Sequence, residues 1–152
     1  MSMGQHKPYR ALAMMAGLSF VAMFLLMYAM VDSFGNIFPN LNQAYMAALM
    51  TAPMVLIELA LMRRMYSNTR WNVIAVGASL AVGAASFAFI REQTAIGDDQ
   101  FLRSMIPHHA GAILMCEKAQ LSDAEIQRLC QSIIASQTAE IAQMKRIISA
   151  RR

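Results

Sequence analysis

The chain has 152 residues, of which 57% are hydrophobic and only 14% charged, with a formal net charge of +4. Such a balance excludes an ordinary soluble domain, in which about a quarter of the residues are charged. Residues 1–90 hold five Lys or Arg against Asp32 and Glu58, and residues 91–152 hold eight against seven acids. The positive charge therefore flanks apolar segments, and no basic face is left on the remainder to recognise nucleic acid.

Three apolar segments follow in chain order. Residues 11–31 contain no charge, residues 44–62 contain Glu58 and Pro53, and residues 73–90 contain none. Each is long enough to cross a bilayer as a helix. Lys7 and Arg10 precede the first, and Arg63, Arg64 and Arg70 separate the second from the third, whereas residues 32–42 have no Lys or Arg. The positive-inside rule then puts the N-terminus and the second loop in the cytoplasm, and everything after residue 90 outside. The expected location is a bacterial cytoplasmic membrane, with the C-terminal part facing the periplasm or exterior. Tyr9, Tyr45, Tyr66 and Trp71 fall near the span boundaries, where amphipathic rings settle. A cleaved signal peptide is not expected, because the first apolar run is too long and lacks a small-x-small site.

Methionine is abundant, with 15 copies. Met46, Met50, Met54, Glu58 and Met62 recur at i+4 along the second span, and Met23, Met27 and Met30 share a face of the first. Two readings stand side by side: a thioether row that conducts or senses a soft ion, with Glu58 as its polar element, or flexible side chains filling gaps between helices. Glu58 either faces a bundle interior or reaches the interface. Ala75, Ser79 and Gly83 form a small-residue stripe suited to close helix packing.

The chain divides near residue 91 into a three-span region, 1–90, and a helical tail, 91–152. Asp98 or Asp99 is placed to cap the first tail helix, whose apolar positions Phe101, Leu102, Met105, Ala112, Met115 and Cys116 follow. Pro107 interrupts that pattern, removing one backbone hydrogen bond and freeing a carbonyl one turn upstream. Ser122 to Glu125 reads as a capping box for the second helix. Its apolar face comprises Ile126, Leu129, Cys130, Ile133, Ile134, Ile141, Met144 and Ile148, broken by Gln137 and Glu140. With a turn near Leu121, Cys116 and Cys130 fall about one helical turn out of register, on the order of 6 Å. Small buried thiols are expected in preference to a bridge. A lone hairpin of this size does not bury a sufficient core, so two hairpins are expected to pair as a homodimer or higher homo-oligomer, forming a four-helix bundle.

The chemistry concentrates in residues 101–115. His108 and His109 are adjacent and so point about 100° apart on a helix. Met105 shares a face with His109, and Met115 with His108. Imidazole and thioether donors favour Cu(I) and similar soft ions over Mg²⁺ or Ca²⁺. Two small soft sites, or one shared across a dimer, fit this spacing; the plain alternative is a histidine pair hydrogen-bonded within a core. Gln137 and Glu140 read either as a solubilising edge or as groups that orient metal ligands. No carboxylate and Glu-x-x-His set for a di-iron centre is present, and no HExxH, CxxC, Walker loop or serine elbow, so no enzymatic activity is expected.

The tail resembles the family known as domain of unknown function 305. The resemblance rests on Asp98, on residues 101–109 (FLRSMIPHH), on residues 112–115 (AILM), and on Gln137 with residues 140–144 (EIAQM). It covers about a third of the chain, and departs from the family pattern at Ile147, in a region where an aromatic is common. It implies a ferritin-like helical bundle, exported or membrane-anchored, associated in some members with copper or silver handling. By the resemblance Met105, His108, His109, Met115 and Met144 are candidate ligands. The expectation for the whole chain is a membrane-anchored binder of Cu(I) or Ag(I), serving tolerance, sequestration or hand-off to an exporter or periplasmic chaperone. A non-catalytic membrane scaffold and a metal conduit are the rivals.

Overall fold

A computed structural model describes residues 7–151. The chain is all-helical, with no strand among the described residues. Helix α1 (Lys7–Leu26) continues into a 3₁₀ turn at Met27–Met30, and a second short 3₁₀ turn occupies Phe34–Asn36. Then come α2 (Leu41–Leu61), α3 (Thr69–Glu92), α4 (Asp98–Lys118) and α5 (Ala124–Ala150). Among the described residues two compact units result, one from residues 7–26 and 42–94, the other from residues 27–41 and 95–151.

The first unit holds α1, α2 and α3. The stretch Lys7–Met30 and helices α2 and α3 are the three segments long and apolar enough to span a membrane. Their buried positions are few and regularly spaced. On α2 they are Ala47, Thr51, Val55 and Leu59, at successive i+4 steps, with Ala52 beside them. Val55 and Leu59 pack with Leu12 and Tyr66. Ser79 and Ser86 are the buried residues of α3, and a Cβ on Gly83 would lie 3.4 Å from that of Ala52. The small-residue stripe thus marks the seam where α3 approaches α2 most closely. Asn68 caps α3 by accepting from the Trp71 amide.

The second unit is an antiparallel pair, α4 against α5, with residues 27–41 laid over part of it. Leu102, Ile106, Ala110 and Ile113 of α4 meet Ile141, Met144 and Ile148 of α5, and Val31 and Phe38 close this core from the loop side. A Cβ on Gly111 would come within 3.4 Å of the Met30 carbonyl, which is how closely the loop approaches. Only the C-terminal half of the expected α5 face is buried. Near the turn, Ile126 and Leu129 are 48% and 58% exposed.

Three local expectations are corrected. Gly97, rather than Asp98 or Asp99, is the N-cap of α4; the two acids sit in the first turn, where the helix dipole favours them, and pair with Arg151 and Arg103. Asp123, rather than Ser122, caps α5, its carboxylate accepting from the Glu125 and Ile126 amides at 2.8 and 3.0 Å. Residues 119–123 join the two helices, centred on Leu121 as expected, yet Cys116 and Cys130 are not a turn apart: their Cα atoms lie 5.3 Å from each other and the two form a disulfide.

Candidate metal centre

Pro107 is the local reason for the site's architecture. It is buried inside α4, and the helix continues through it. Its missing N–H leaves the Arg103 carbonyl without the usual helical donor. The buried Asn40 side chain reaches that carbonyl at 3.4 Å while also donating to the Phe38 carbonyl at 2.9 Å. The Leu41 amide donates to Gln100 Oε1 at 2.9 Å. The loop is thereby fastened to the half of α4 that carries Met105 and the histidines.

His109 is 8% exposed, and both of its ring nitrogens are engaged. Nδ1 lies 2.9 Å from the Met105 carbonyl, and Nε2 lies 2.7 Å from Glu140 Oε2 on α5. A carbonyl can only accept, so Nδ1 carries a hydrogen, and Nε2 shares one proton with the carboxylate. The ring is thus oriented by its own helix and tied across to the next. His108 points elsewhere: it is exposed, and its ring centre stands 6.1 Å from that of His109 in an edge-on arrangement.

The thioethers divide in the same way. Met144 is buried in the α4–α5 core and Met105 packs against that core, one turn before His109 on its own helix. Met115 is 53% exposed. Gln137 Oε1 is buried and has no hydrogen-bond partner, an acceptor left over on the helix that supplies Glu140. The fold therefore puts Met144 in the hairpin core with Met105 against it, buries His109 and pairs it with the exposed Glu140, and leaves His108 and Met115 on the surface. Among the described residues no cluster of three or more His, Cys, Asp or Glu side chains is spaced to hold a metal ion, and no side-chain cluster of catalytic type occurs.

In the first unit the i+4 methionine row runs beside the buried row of α2. Met46, Met50 and Met62 are exposed, and Met54 and Glu58 are half-buried. Glu58 accepts a hydrogen bond from the Tyr66 hydroxyl at 3.2 Å. Burial, and then that hydrogen bond and the nearby carboxylate charge, push the Tyr66 phenol above its ordinary value. Sequence reasoning missed the role of Asn40 and of the whole 27–41 segment; the one available signal was a buried proline whose orphaned carbonyl needed a donor from elsewhere.

The arrangement is that of a helical chain with three segments long and apolar enough to span a membrane, ending in a helical hairpin. Residues 78–148 match the family described as a domain of unknown function, DUF305, and form a domain of that family. The match begins inside α3, some twenty residues upstream of the tail motif. An uncharacterised protein of Acanthamoeba polyphaga mimivirus is 34% identical over 137 residues, covering 88% of this chain and 88% of the relative. That similarity takes in the three apolar helices as well as the hairpin. No solved structure matches the chain.

Proposed function

We propose that the chain is a membrane-anchored binder of a soft monovalent metal ion, Cu(I) or Ag(I), held by its C-terminal hairpin. The observation that carries the reading is the setting of His109. Its Nδ1–H is committed to a backbone carbonyl, the arrangement typical of an imidazole that ligates through Nε2. Nε2 shares a single proton with Glu140, so an incoming cation exchanges with that proton while the carboxylate stays beside it. Met105 and Met144 supply thioethers from the same core, and the buried, unpartnered Gln137 oxygen adds a polar acceptor. His108 and Met115, exposed on the surface, form the second and looser donor pair.

Several features support an extracytoplasmic setting for the tail, residues 91–152, beyond a membrane region of residues 1–90. The loop charges favour it, and the Cys116–Cys130 disulfide belongs to an oxidising compartment. The exposed apolar side chains Phe101, Ile126 and Leu129 support pairing of two hairpins into a four-helix bundle. The physiological work would be tolerance, sequestration, or hand-off to an exporter or periplasmic chaperone.

One observation favours a structural reading instead: both nitrogens of His109 are already satisfied, so the pair with Glu140 would serve as a clamp between helices. Calorimetric titration of the full chain in non-ionic detergent with Ag(I) separates the two. Ag(I) needs no reductant, so the disulfide stays closed. Uptake weakened at least about tenfold by His109→Ala is expected, since one ligand bond is lost. Equal uptake by parent and variant would leave the clamp as the role of His109.

A further inference from the structure

One end of the first unit gathers five cations. Lys7 and Arg10 stand in the opening turns of α1, Arg63 and Arg64 follow the end of α2, and Arg70 lies in the first turn of α3. All five are exposed, and among the described residues no salt bridge reaches any of them. They are held at one level by a polar network. The Tyr9 hydroxyl donates to Asn72 Oδ1 at 2.9 Å and accepts from the Asn68 amide at 3.1 Å. Asn72 in turn donates to the Tyr66 carbonyl at 2.9 Å. Tyr9 also stacks obliquely on Tyr66 and Trp71, with ring centres 5.4 and 6.2 Å away. Glu58 accepts from the Tyr66 hydroxyl, and among the described residues it makes no salt bridge with any of the five.

We propose that this collar binds the phosphate groups of anionic phospholipids. The proposal rests on the membrane-spanning reading of α1, α2 and α3 and is independent of the metal reading. The cations ring the ends of helices whose sides are apolar. A ligand meeting both must carry a phosphate and hydrocarbon in one molecule, which a free anion or a soluble acidic partner does not. The aromatic trio sits at the same level, where amphipathic rings lie against headgroups. Each Lys or Arg at such a surface contributes roughly fivefold to affinity for anionic lipid.

Trp71 is the chain's single tryptophan and lies within the collar, so it reports on the site directly. The full chain in non-ionic detergent is titrated with phosphatidylglycerol, or with phosphatidylcholine, brominated near the headgroup, and Trp71 quenching is followed. The expected result is half-quenching by phosphatidylglycerol at a concentration at least about tenfold lower than by phosphatidylcholine. The Arg63→Gln/Arg64→Gln/Arg70→Gln variant should bring the two close together, and the corresponding triple Lys variant should keep them apart. Equal quenching by both lipids in the parent chain, or a preference that survives the glutamine variant, overturns the proposal. Sodium phosphate that abolishes the preference at equal phosphate concentration and fixed ionic strength assigns the collar to the free anion and also overturns it. Should the glutamine variant fail to fold, the parent chain in about 0.5 M salt decides. A screened contact loses its preference there, and an undiminished preference refutes the electrostatic site.

Discussion

Opening the Cys116–Cys130 bridge is the perturbation whose size follows most directly from the structure. The bridge closes a loop with a sequence separation of 14, and constraining a loop of about 15 residues in the unfolded chain is worth about 3 kcal/mol in the chain-entropy treatment. That corresponds to roughly a hundredfold change in the opening equilibrium of the hairpin. The effect should be local, because the turn end of the hairpin has few other constraints: Ile126 and Leu129 are exposed there, whereas Ile141, Met144 and Ile148 are buried near the other end. The assay is hydrogen exchange of the full chain in detergent, comparing the parent with Cys116→Ser/Cys130→Ser. Amides flanking the turn should exchange up to about a hundredfold faster, with much smaller changes around Ile141–Ile148. Unchanged exchange near the turn, or two titratable thiols in the parent chain under non-reducing conditions, would refute the reasoning.

Other outcomes follow from packing and charge. Ile106 is completely buried, so Ile106→Ala should destabilise the hairpin unit by about 2–5 kcal/mol, measured by denaturant unfolding followed at the disulfide-linked helices. Asn40→Ala removes donors to the Phe38 and Arg103 carbonyls and should cost about 1–3 kcal/mol, read as faster exchange in residues 27–41 and in the first half of α4. The Tyr66 phenol is raised above its ordinary 10.0. Its contribution is therefore fully present below pH 10, where both folded and unfolded phenols are protonated, and is lost as the pH rises through the raised folded value. Spectrophotometric titration, read as the difference between the parent chain and Tyr66→Phe, should show the Tyr66 phenol ionising late, and Glu58→Gln should bring that ionisation earlier.

Much of this architecture was legible because its signals are local. Apolar runs of span length, only one of which carries a charge, give three apolar helices, and the i, i+3, i+4 pattern gives the two tail helices. Pro107 also announced a freed carbonyl, although not its partner Asn40, which is 63 residues away from Arg103 and lies in a loop with no periodicity to read. The disulfide was illegible for a narrower reason. Residues 119–123 join the helices with Leu121 at their centre, as the sequence suggests, and counting outward from a turn does not fix the stagger of two helices to within one helical turn. Exposure along α5 was misjudged because helical periodicity identifies an apolar stripe without saying which part of it a neighbouring segment covers. The link between His109 and Glu140 required the register of α4 against α5, which only the folded hairpin supplies.

A metal-binding role for the hairpin stands or falls on what surrounds a bound ion. X-ray absorption at the copper edge of the full chain, loaded with Cu(I) with its disulfide intact, reports the donor atoms directly. The prediction is a mixed shell with imidazole nitrogen and thioether sulfur, in which the imidazole contribution falls in His109→Ala and the sulfur contribution falls in Met105→Leu/Met144→Leu. A shell of oxygen and nitrogen alone, or one identical in parent and variants, would contradict it.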